Sequence, residues 1–134
     1  MITEDYVSFE VAKLLKEKGF YVPCKVWYAE YTSMWGGDPS GDRKYIEIQF
    51  DNKNRFEESY KFLCYAPTLQ MAMKWLREVH NIDIFPWKIG KGIYSCAIFN
   101  SNTGQDLSSD KDFPSEKYEK TAEAAIKYCL ENLI

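Results

Sequence analysis

Apolar positions recur along this chain in two rhythms, and the change from one to the other marks out eight elements. Near the start, Val7, Val11, Leu14 and Leu15 fall at helical spacing and predict one buried helix face. Thr3 can cap that helix, the acids of "EDY" suit its first turn, and Gly19 stands where a left-handed closing residue is expected. Three extended segments follow. "CKVWYAEY" (24–31) carries rings on both faces, "KYIEIQF" (44–50) alternates cleanly, and "SYKFLCYA" (59–66) is the third. The links "TSMWGGDPSGDR" and "DNKNRFEE" are polar and non-helical, which predicts an antiparallel meander.

The helical rhythm returns in "APTLQMAMKWLREVHNIDIFPW" (66–87). Thr68 suits an N-cap after Pro67, and Leu69, Ala72, Leu76 and Val79 form the stripe, with Met73 and Trp75 beside it. Arg77 and His80 fall in the last turn, where positive charge complements the helix dipole, and Asn81 is a suitable left-handed end. "IDIF" and "WKIG" predict a short strand broken by Pro86, "GKG" a turn, and "GIYSCAIFN" a further strand. Residues 100–116 read as a long polar surface loop, either a lid or a plain connection. A last helix is expected over about 118–133, with Ala122, Ala125, Ile126, Cys129, Leu130 and Leu133 inward. The order α-β-β-β-α-β-β-α predicts an α+β fold, a mainly antiparallel five-stranded sheet with three helices, in a single domain spanning 1–134.

Composition narrows the function more than the fold. Aromatic residues make up 16% of the chain, too many for a disordered segment, because their burial offsets ordering entropy. The net charge of -3, with lysines alternating with acids in "LLKEKGF" and "YEKTAEAAIKY", argues against phosphate-driven nucleic-acid binding. "MITEDYVSFE" lacks the basic start and apolar core of a secretion signal, and no apolar run approaches the ~18 residues of a membrane span. Cys24, Cys64, Cys96 and Cys129 are widely spaced in apolar surroundings without a C-x-x-C pair, which predicts reduced core thiols and a cytoplasmic location.

Candidate chemistry is sparse. His80 is the only histidine, so a Cys–His dyad is the most that imidazole catalysis could use, and no motif selects its cysteine. Its place at a helix end favours a dipole contact, with Arg77 completing a polar site. The acids Glu57, Glu58, Asp106, Asp110 and Asp112 do not follow the calcium-loop order, and the glycine pairs do not form a phosphate loop. No metal, no cofactor and no catalytic set is therefore expected. The surplus lies in the rings: Trp27, Tyr31, Trp35 and Trp87 do not all need a place in one core. Exposed aromatics beside polar loops suit contact with a protein partner or with a second copy. A small-ligand or enzymatic pocket using a cysteine and His80 is one alternative, and stacking on single-stranded nucleic acid is another.

Three segments also carry a resemblance. "EDYVSFEVAKLLKEKGF", "APTLQMAMKWLREVHNIDI" and "YEKTAEAAIKYCLENLI" look like those of short uncharacterised proteins from phages and mobile elements of Bacteroides-type gut bacteria. Residues from Trp27 to Glu58 depart from that group. The resemblance implies a small cytoplasmic accessory protein and transfers no functional residue.

Overall fold

The computed structural model describes residues 4–33, 43–50 and 60–134. The chain is α+β, and its helices and strands fall into two compact units. One is Ser8–Pro67; the other joins Met1–Val7 to Thr68–Ile134.

In the unit Ser8–Pro67, α1 spans Phe9–Glu17. Ser8 caps it, its Oγ accepting from the Val11 amide at 3.3 Å. The helix thus begins well after Thr3, which lies outside the described residues. Tyr6 forms an antiparallel bridge to Thr68, and the Leu69 amide donates to the Asp5 carbonyl at 2.9 Å. That extended pairing holds the backbone before Ser8 away from helical geometry. The other end follows the sequence: Gly19 takes φ +97°, the Phe20 amide reaches the Leu15 carbonyl, and the Gly19 amide reaches that of Lys16. This is a Schellman closure, with buried Phe20 and Leu15 at its hydrophobic positions.

The strands β1 (Val26–Ser33), β2 (Arg43–Phe50) and β3 (Tyr60–Tyr65) form an antiparallel sheet in the order β2-β1-β3. A meander would have put β2 in the middle. Instead the centre goes to β1, which has the most deeply buried side chains among the described residues of the three strands, Trp27 and Ala29, and both of its edges are paired. Register on the β3 side changes from Tyr28↔Cys64 to Ala29↔Phe62, which leaves Leu63 as an extra residue in a bulge.

In the other unit, α2 (Leu69–His80) carries both expected caps. Thr68 Oγ1 accepts from the Met71 amide at 3.1 Å, and Asn81 is left-handed at φ 57°. Leu69, Ala72, Met73, Trp75 and Leu76 are buried, but Val79 is 56% exposed. The last turn brings the ring of His80 inward rather than Val79, which corrects the expected stripe.

Strands β4 (Ile82–Gly90) and β5 (Ile93–Asn100) form a second, two-stranded antiparallel sheet, so the five strands do not make one sheet. Pro86 does not break β4. The amides of Tyr94 and Cys96 donate to the carbonyls of Ser115 and Asp112, and the Ile98 carbonyl accepts from Leu107. These β5 residues therefore turn their backbone polar groups away from β4. Their partners Lys88, Pro86 and Ile84 must do the same on the other side, so the missing N–H of Pro86 falls on the outer edge and no ladder bond is lost. The same bonds show that the segment after β5 folds back along that strand rather than forming a free loop. Finally, α3 (Tyr118–Asn132) packs on β4 and β5, with Ala122, Ala125, Ile126, Cys129 and Leu130 buried.

Candidate functional site

The β4–β5 hairpin presents the most concentrated apolar surface of its unit. Side chains alternate across β4: Ile82 is buried with Cys96 and Ile98 on the helix side, while Phe85 and Trp87 stand on the other face. Phe85 is 61% exposed and Trp87 48%. A register shift between Lys88 and Gly90 sets Ile89 at the tip beside Ile93, and both are also exposed. Two large rings and two branched aliphatics on one hairpin have a hydration cost that a partner's surface could remove.

Arg77 extends this surface. With Asp83, Phe85, Phe99, Asn100 and Ser101 it lines an open depression beside β4. A guanidinium, a carboxylate and an amide next to an exposed ring supply a polar rim to an apolar centre, the usual anatomy of a protein contact. Part of this depression is built by side-chain turns: Asn100 Oδ1 accepts from the amides of Asn102 at 2.9 Å and Thr103 at 3.1 Å.

The other expected residues do not join it. Trp27 is buried, at 1% exposure, so its ring is not offered to solvent, and its Nε1 has no hydrogen-bond partner among the described residues. Tyr31 is half-buried on β1, opposite Tyr45 and Tyr60. Trp35 lies outside the described residues. His80 packs edge-on against Trp75 with ring centroids 4.8 Å apart, and its buried Nε2 has no hydrogen-bond partner among the described residues. That imidazole is not among the residues lining the depression by Arg77. Phe85, Ile89 and Ile93 are added to Trp87 by the structure. Phe85, Trp87 and Ile89 lie on the period-2 alternation of "FPWKI", which a strand break at Pro86 conceals, whereas nothing in the pattern around Ile93 marks it as exposed.

The thiols are set against nucleophilic chemistry. Burial raises the pKa of all four. Burial pushes Cys96 up to about 11, against a hydrogen bond with Thr121; burial and the neighbouring Cys96 push Cys129 up to about 12. A nucleophilic cysteine needs the opposite shift. All four thiols are free; Cys64, Cys96 and Cys129 are buried, whereas Cys24, also expected in the core, is only half-buried. Among the described residues no group of His, Cys, Asp and Glu is placed to hold a metal ion. No described helix is long and apolar enough to cross a membrane. Asp106 is held below the usual carboxylate range because it accepts from the hydroxyl and amide of Ser108, a local turn contact.

No family model, curated protein or solved structure matches this chain.

Proposed function

We propose that this chain is a non-catalytic binding protein that engages a protein partner through the outer face of the β4–β5 hairpin. One observation carries the reading: Trp87 and Phe85 stand exposed on the same strand face, with Ile89 and Ile93 exposed at the tip. Trp and other large rings dominate contact energetics because each buries a large apolar area with few rotatable bonds. The raised thiol pKa values and the buried imidazole support a role without covalent catalysis. The resemblance of the three helical segments supports an accessory protein of a phage or mobile element, acting in the cytoplasm.

The experiment is a comparison of the native chain with a Phe85→Ser/Trp87→Ser variant. Affinity capture from the source cells reads a partner, and sedimentation velocity reads self-association. Loss of a captured protein, or of a dimer, with unchanged circular dichroism is the expected result. A variant that keeps every partner and the same oligomeric state would overturn the reading.

A further inference from the structure

The face of α1 that does not enter the core covers a second cavity, of about 440 Å³, within Ser8–Pro67. Phe9, Lys13 and Lys16 recur there at helical spacing, apart from the buried stripe of Val11, Ala12 and Leu15. Leu63 and Cys64 of β3 line the other side, and the half-buried ring of Phe9 is set edge-on to Tyr28 at 5.5 Å. The cavity size lies in the ordinary range for small-molecule sites, and its surface is mainly apolar.

Its polar groups are placed by the β3 bulge. Leu63 is the extra residue there, and its carbonyl accepts from Lys16 Nζ at 2.7 Å. That bond uses one of the three ammonium donors and fixes the charge over the cavity, leaving two donors for a ligand. Lys13 lies one turn earlier, and Glu17 contributes a single opposing carboxylate. The charge of Lys16 is felt at the floor: burial raises the Cys64 pKa, while the Lys16 ammonium works against that rise.

We infer that this cavity binds a small amphipathic monocarboxylate, its apolar body on Phe9, Leu63 and Cys64 and its carboxylate on Lys16. Two cations against one carboxylate match a single negative charge. An apolar floor rejects a bare phosphate or a sugar, whose hydroxyls would be left unpaired. The phenol of Tyr21, 73% exposed at the wall, can lie against the ligand body.

Octanoate and its neutral counterpart octanamide, titrated into the full chain by calorimetry, test this. Octanoate is expected to saturate and to bind about tenfold more tightly than octanamide, the margin of a charge-assisted hydrogen bond. Lys16→Met keeps the aliphatic stem of an exposed residue and is expected to reduce octanoate binding to the octanamide level. Equal affinity of the two probes for the native chain would overturn the inference. So would the absence of saturable octanoate binding, or a folded Lys16→Met variant that binds octanoate unchanged. The probe comparison needs no variant, and it is independent of the hairpin surface.

Discussion

A buried thiol is a small group with a large titration signature. Cys129 is 0% exposed and Cys96 3%, and their pKa values rise to about 12 and about 11 from an ordinary 9.0. In the unfolded chain both protons leave near pH 9.0, whereas the folded chain keeps them. Above that pH the native state binds more protons, so stability falls as pH rises. The contribution is complete below pH 9.0 and is lost as pH climbs to about 12. Cys129→Ala should therefore make the decline shallower by up to about 1.4 kcal/mol per pH unit, one proton's worth. Urea unfolding under reductant at a series of pH values above 9.0 measures it. Parallel slopes in the two proteins would contradict the assignment. Residue-level legibility followed how local each cause is. Thr68, Asn81 and Gly19 could be read because a cap is decided within a few residues. Thr3 misled because Ser8 is an equally good cap, and the choice was made by the distant pairing of Tyr6 with Thr68. The burial of Trp27 was equally hidden, since exposure depends on what covers a ring.

At the scale of the element, β4 shows how one proline can permit a sticky face while blunting a sticky edge. Among the described residues no strand pairs with the outer edge of β4. Such an edge, beside exposed Phe85 and Trp87, would template pairing with another chain. Pro86 removes the donor in the middle of that edge and puts its ring there. Pro86→Val should restore the donor and a strand-favouring side chain, giving concentration-dependent association in sedimentation velocity or light scattering. The same oligomeric state for native and variant chains across the concentration range would show that the edge is protected by something else. From sequence this proline reads as a break within a short strand, because the proline signal alone does not say which edge its nitrogen faces. That orientation is fixed by the bonds from Tyr94, Cys96 and Ile98 to the segment that follows β5. Helix positions were more legible than strand partners. Periodicity assigns a face, and α3 kept most of its stripe, but nothing in one strand names its neighbour.

For the whole molecule, the eight elements and their order were legible from pattern alone, whereas the division of five strands into two sheets was not. Charge is the property that acts over the entire chain, and it separates two uses of the same rings. Phe85 and Trp87 could stack on bases, and Arg77, Lys88 and Lys91 are exposed nearby in sequence. Stacking alone is a weak hold on a polyanion, since most nonspecific affinity comes from counterions released by many phosphate contacts. Seventeen basic against twenty acidic residues provide no excess for that purpose. The expected outcome is therefore no anisotropy change of a labelled oligothymidine at physiological salt with about 100 µM protein, the weak end of nonspecific binding. Should binding emerge as salt is lowered, its slope counts the phosphates engaged, and a slope near one or two would point to the hairpin lysines alone. Tight binding at physiological salt that is lost in the Phe85→Ser/Trp87→Ser variant would instead make the hairpin a nucleic-acid surface, and the protein-binding reading would fall with it.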